Sequence, residues 1–234
     1  EVLNISNCYI KNFSLAECRE KHALSKDEKL QLNQFSAIHT FFEADTTTDF
    51  SYAEFVNNCD FLNTTFGSGN VSFYKTDFKQ VTVDFSNVDF GEGSINFQFA
   101  DFGTGDVIFE NGANYNGNTT FINANFGDGN VNFKNFNFGL GNVDFHFAKF
   151  GIGDISFDKS EFNGKYVDFR KVEFGEGKLD FRKTIFGNAL VSFEEIEHKK
   201  GRTYFKRATF GSGNISFDMA DFGNEEVSFE AAEF

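Results

Sequence analysis

The spacing of phenylalanine constrains this chain more than any other feature. From Phe66 onward the rings fall at 66, 73, 78, 85, 90, 97, 102 and 109, and they resume at Phe121, with steps alternating seven and five residues. The phrasing around them recurs as well: FGEGSINFQFADF at 90–102 returns as FGLGNVDFHFAKF at 138–150 and FGSGNISFDMADF at 210–222. A segment repeated at a fixed period is a structural unit that stacks on its own copies. Two positions substitute without disturbing the count. Asn114 stands where a Phe is due, with Tyr115 displaced by one, and His198 stands at a second such place.

Two residues before each Phe lies another apolar or small residue. One set holds Val71, Val83, Ile95, Val107, Val131, Val143, Ile155 and Val167; the other holds Ala100, Ala124, Ala148, Ala208, Ala220 and Ala232, with Thr76, Ser160 and Thr184 as variants. Paired inward residues at i and i−2 mark a strand, whose side chains alternate between faces. The residues between them are polar, as at Asp84, Asn96, Asp101 and Asp144. Each strand is therefore about three residues long. The strands are joined by two-residue corners such as Gln98-Phe99 and four-residue corners such as Gly91-Glu92-Gly93-Ser94. Glycine permits positive φ at a tight bend, and Asn70, Asn130, Asn142 and Asn214 at the last place of the long corner are expected to adopt it too. A chain that turns after every short strand advances about 4.8 Å per coil, which makes an all-β solenoid.

The Ala-(Asp/Asn)-Phe phrasing, as in Ala100-Asp101-Phe102 and Ala124-Asn125-Phe126, resembles the pentapeptide-repeat proteins. The resemblance covers about residues 42–234 and is specific at the five-residue steps; the seven-residue steps lengthen every second corner. It implies a right-handed quadrilateral β-solenoid with the central Phe and the preceding small residue pointing inward. Two coil sizes fit the period, a flat coil of 12 residues or a four-sided coil of 24. Apolar residues at the short corners, Tyr74, Phe99, Ile122, Phe147 and Met219, all fall in one alternate set, which favours 24. About eight such coils give a rod of roughly 38 Å.

Residues 1–41 read as a helical cap. Ser14-Leu15-Ala16-Glu17 and Ser25-Lys26-Asp27-Glu28 both match the S-x-x-E capping box, and Leu15, Leu24, Leu30 and Leu32 supply apolar positions, so two short helices are expected over the open end of the first coil. At the other end the sequence stops at Phe234, a core position, where either a longer chain continues or an end-to-end contact is expected.

With 40% apolar residues and a net charge of −14, the composition is neither that of an acidic disordered tail nor of a membrane protein, and no apolar run approaches the roughly 18 residues that span a bilayer. The acidic balance opposes direct nucleic-acid binding by the whole surface. Cys8, Cys18 and Cys59 form no CxxC and cannot all pair. The scattered histidines His22, His39, His146 and His198 make no HxH or HExxH, so neither metal nor triad is indicated. The corner carrying His198 is expected to bulge outward and leave the ring solvated. GxG corners without GK[ST] or a following helix read as turns, not phosphate loops, and Gly103-Thr104-Gly105-Asp106 lacks the nine-residue period of a calcium repeat. The outer carboxylates form a regular solvated column. A flat threonine array of the ice-binding kind is missing, since the outer columns carry Asp, Asn, Ser and Lys.

No cofactor and no active site are expected. Two surface features stand out: an apolar corner ridge of Tyr74, Phe99, Ile122, Phe147 and Met219, and a basic patch of Arg170, Lys171, Arg182, Lys183, Lys199, Lys200, Arg202, Lys206 and Arg207. The function expected is a non-catalytic spacer or protein-interaction module within a larger bacterial protein. A second reading comes from the resemblance, because some pentapeptide-repeat proteins are acidic rods that mimic DNA and bind type II topoisomerases. Those members are dimers closed by a C-terminal helix, for which this sequence has no counterpart.

Overall fold

The computed structural model describes residues 2–25 and 27–234, and it is a parallel β-solenoid of about 8 turns with about 24 residues per coil. The pairing register decides the coil size: Val83 sits beside Val107, Val107 beside Val131, and Val71 beside Ile95. The flat 12-residue coil is thereby ruled out. Each coil has four faces, which one turn illustrates. Val71–Phe73 form the first face and Thr76–Phe78 the second, across the short corner Tyr74-Lys75. A long corner, 79–82, leads to the third face, Val83–Phe85. The short corner Ser86-Asn87 then leads to the fourth, Val88–Phe90, and Gly91–Ser94 returns to the first. The first and third faces stack as eight- and ten-stranded parallel sheets. The second and fourth stack mainly as bridges, such as Asp77 to Asp101 and Thr65 to Asp89.

The inward phenylalanines form four ladders. On the third face the rings of Phe61, Phe85, Phe109, Phe133, Phe157, Phe181, Phe205 and Phe229 stack rung on rung at 4.7 to 5.0 Å. The first face has the same stacking from Phe50 to Phe217, at 4.7 to 5.2 Å, and the two ladders meet edge to face, as at Phe73 and Phe85, 5.4 Å apart at 81°. Offset-stacked and edge-to-face pairs each add about 0.5–1.5 kcal/mol beyond the area they bury. Hydroxyls in the small-residue column do not go unpaired: Thr76, Ser160 and Thr184 each donate to a Phe carbonyl of the coil below.

The two interrupted ladders show how the register survives. His198 is 1% exposed and occupies the inward slot of the second face, contrary to the solvated bulge expected for it. The bridge from Glu197 to Asp221 holds the strand in line, so the ring has nowhere to go but in. Its Nε2 lies 2.8 Å from the Gly177 carbonyl and its Nδ1 2.8 Å from Thr203 Oγ1. A carbonyl only accepts, so Nε2 carries the proton and Nδ1 accepts from the threonine hydroxyl. Burial pushes the His198 pKa below the ordinary histidine value, against a smaller opposing effect of the Gly177 carbonyl. On the fourth face Asn114 is also fully buried, donating to Gly117 O at 2.7 Å and Thr119 Oγ1 at 3.1 Å. The missing ring is supplied from the next coil: Phe136, in a small-residue position, contacts Phe90 at 6.3 Å and Phe138 at 4.6 Å. It fits because Gly112 lies beneath it, where an added Cβ would come within 2.8 Å of the Phe136 ring.

The corners are built by two devices. In most long corners the first glycine adopts positive φ, as at Gly91 (+70°), whereas the second is required by close stacking; a Cβ on Gly93 would sit 2.1 Å from the Gly69 carbonyl. The asparagines at the last place, Asn70, Asn130, Asn142 and Asn214, do not have positive φ. Their place has a different use: Asn70 Oδ1 accepts the Ser94 amide, and Asn130 Oδ1 that of Asp154, one coil on. A side-chain ladder therefore closes backbone donors that a corner leaves open.

The amino-terminal segment departs from the helical cap. Its described residues contain β1 (Val2–Asn4), β2 (Tyr9–Lys11), one helix, α1 (Leu15–Lys21), and β3 (Leu30–Ser36). Strands β1 and β3 extend the third-face sheet, and β2 pairs with β4 (Phe41–Glu43). Solenoid pairing thus reaches into the segment before residue 42. The first capping box does start a helix, though the Ser14 side chain makes no cap bond. Lys26 of the second box lies outside the described residues; around it Ser25 and Glu28 close a turn, with the Ser25 amide donating to Glu28 Oε2 at 2.7 Å. The helix is an insertion in the first coil, which lengthens the register from Leu3 to Phe35.

Candidate interaction surfaces

The outward carboxylates are corner-forming groups. Where an Asp or Asn stands in the middle of a strand, its Oδ1 commonly accepts the amide two residues on, as Asp84 does from Ser86, Asp89 from Gly91, Asp101 from Gly103 and Asp168 from Arg170. This Asx turn mimics a backbone turn and explains why the column is rich in Asp and Asn. Stacking carboxylates has a cost where two adjoin. Burial and then the neighbouring Asp84 raise the Asp60 pKa, and burial with a contribution from Asp168 raises that of Asp144. Among the described residues no group of three or more His, Cys, Asp or Glu could hold a metal ion. Among the same residues no helix is long and apolar enough to cross a membrane.

The short corner between the first and second faces gathers the apolar ridge. Tyr74, Phe99, Ile122 and Phe147 follow one another on successive coils, with Tyr52 beneath them. Tyr52 and Tyr74 meet at 5.6 Å, Tyr74 and Phe99 at 5.9 Å, and the His146 and Phe147 rings stack at 4.1 Å. Tyr74 and Ile122 are half-buried, whereas Phe99 and Phe147 remain 47% and 44% exposed. Met219 lies on the same corner but apart, separated by Arg170-Lys171 and Glu194-Glu195.

The basic patch is split. Eleven of the 21 Lys and Arg fall between 165 and 207, against seven of the 35 Asp and Glu. Arg182, Lys183, Lys206 and Arg207 stack on the second short corner, and Lys199, Lys200 and Arg202 on the long corner across the third face. Arg170 and Lys171 lie on the first short corner, diagonally opposite, and do not join them. Several cations are already paired: Arg182 Nε bonds both oxygens of the buried Asp180 at 2.8 and 2.9 Å, Lys206 meets Glu230 at 3.0 Å, Lys200 meets Glu176 at 3.0 Å, and Arg170 meets Asp168.

No known family profile matches the sequence, and no curated protein matches it. Among solved structures it is similar to HetL, a pentapeptide repeat protein involved in heterocyst differentiation regulation from the cyanobacterium Nostoc sp. strain PCC 7120. The identity is 11%, 95% of each chain is covered, and the TM-score is 0.22. The four-faced coil and its regularly spaced phenylalanines themselves fit the pentapeptide-repeat family.

Proposed function

We propose that the chain is a non-catalytic interaction scaffold that docks a protein partner along the first short corner. The observation supporting this is the state of Phe99 and Phe147. Both sit in the left-handed region, with φ of +57° and +60°, where the same column elsewhere uses Asn123, Lys75 or Glu195. A phenylalanine there accepts the Cβ strain of positive φ and still leaves nearly half of its surface in solvent, so its neighbours on the corner cover it only in part. Exposed aromatics in a row are the side chains that dominate interface energies. Replacing both by Asn, which this corner accepts at Asn123, is expected to leave thermal stability unchanged while abolishing partner capture in affinity purification. A double variant that retains the wild-type set of captured proteins would sink the reading.

The DNA-mimic reading is not favoured. The second-face outer column runs Glu54, Asp77, Asp101, Asn125, Lys149, Glu173, Glu197 and Asp221, and Lys149 pairs with Glu173 at 2.7 Å, so no uninterrupted acidic track runs along it.

A further inference from the structure

The second residue of the second short corner has positive φ in every coil, and its identity changes along the rod. Asn63, Asn87, Asn111 and Asn135 occupy the early coils, with φ between 54° and 58°. Their amides bond coil to coil, Asn87 to Asn63 and Asn135 to Asn111, each at 2.9 Å. Asparagine is well suited to this place, since it tolerates the left-handed region and can bond its neighbour. The next three coils carry Lys159, Lys183 and Arg207 in the same conformation, with φ of 59°, 55° and 56°. All three are exposed. None forms an ion pair among the described residues, although Arg182 and Lys206 beside them are held by Asp180 and Glu230.

Three like charges are therefore stacked at about 4.8 Å per rung, on backbone that disfavours them, with no direct ion pair among the described residues; the nearest counter-charge, Glu230 beside Arg207, is already bonded to Lys206. Folding does not require this arrangement, because asparagine does the same work in the coils before. We infer that Lys159, Lys183 and Arg207 form a docking strip for a short acidic peptide segment running along the rod axis. Arg182, Lys206 and Glu230 line the shallow depression beside Lys183 and Arg207. Three rungs span about 10 Å, which an extended peptide covers in about three residues, placing carboxylates at i and i+2 about 6.6 Å apart within reach of long cationic side chains. The strip is bounded: the column ends at Ala231 above and returns to Asn135 below. A long polyanion would overrun it onto a rod of net charge −14 and be repelled. This surface is independent of the aromatic ridge.

The test is fluorescence anisotropy with a labelled hexaglutamate peptide at about 50 mM and about 300 mM salt, conditions that differ in screening. Comparison is with Lys159→Asn/Lys183→Asn/Arg207→Asn, which extends the asparagine column. Binding at low salt that weakens at high salt, and at least tenfold in the triple variant, supports the strip. No binding, or a triple variant within twofold of wild type, overturns it. So does tighter binding of a single-stranded oligonucleotide of equal charge, which would make phosphate the ligand. Concentration-dependent self-association that the variant abolishes, without peptide binding, would instead assign the strip to a second copy. Lys183→Glu, a single exposed change, provides the same comparison should the triple variant fail to fold.

Discussion

His198 and Thr203 act as one unit in the core. Changing Thr203 to Val alone removes the donor to Nδ1 and leaves a buried nitrogen unpaired, which costs about 1–3 kcal/mol. The paired change His198→Phe/Thr203→Val restores an aromatic rung above Phe174 and a β-branched residue in the third-face column. It is expected to unfold at higher temperature than the Thr203→Val single variant, as differential scanning calorimetry would show. The same histidine makes stability depend on pH. Its folded pKa lies below the ordinary value, so at acid pH the unfolded chain takes up the proton first. Its contribution is thus complete above the unfolded pKa of about 6.5 and is lost as pH falls through the window between that value and the depressed one. Melting temperatures measured across this window should fall more steeply for wild type than for the double variant; parallel profiles would refute the assignment. A threonine in place of Val, Ile or Leu five residues after each polar intruder, Thr119 after Asn114 and Thr203 after His198, was the sequence signal for both buried pairs.

Elements of this fold depend on the coil beneath them, so the informative substitutions are coupled across coils. Gly93→Ala brings a Cβ to 2.1 Å from the Gly69 carbonyl, and backbone cannot yield as a flexible side chain can. The expected loss exceeds about 2 kcal/mol in chemical denaturation. Phe136→Ala empties the space that Phe136 fills over Gly112 and should cost about 3–5 kcal/mol. Asn114→Phe alone adds a ring where Phe136 already packs and should destabilise, whereas Asn114→Phe with Phe136→Ser should recover much of that loss. Additive effects in a double-mutant cycle would contradict the exchange of one ring for the other. The period, the faces and both corner lengths were legible in the sequence, because the strand's alternation and the glycine positions encode them directly. Phe136 was not: it reads as an oversized residue in a small column until the stacking of Gly112 beneath it is known. The second amino-terminal helix that the sequence predicts does not form, for a related reason. Leu30 and Leu32 suit a helix locally, yet a sheet edge with open donors on the first coil recruits them into β3.

At the scale of the whole rod, charge is distributed by corner and face. Only the coil shows that the basic stretch divides into a cluster around the third face and a pair, Arg170 and Lys171, on the opposite corner. It also shows that the acidic surplus is broken into columns. A topoisomerase supercoiling assay is accordingly expected to show neither inhibition nor protection by this chain; dose-dependent inhibition would revive the mimic. The sequence by itself determined the repeat, the inward phenylalanines, the short strands and the placement of turns, since these follow from spacing and local backbone preference. The tertiary structure decided the 24-residue coil, the burial of His198 and Asn114, the use of corner asparagines as acceptors, and which surface residues stand together. Those outcomes depend on what lies one coil above or below, about 24 residues away in sequence and one strand spacing away in space.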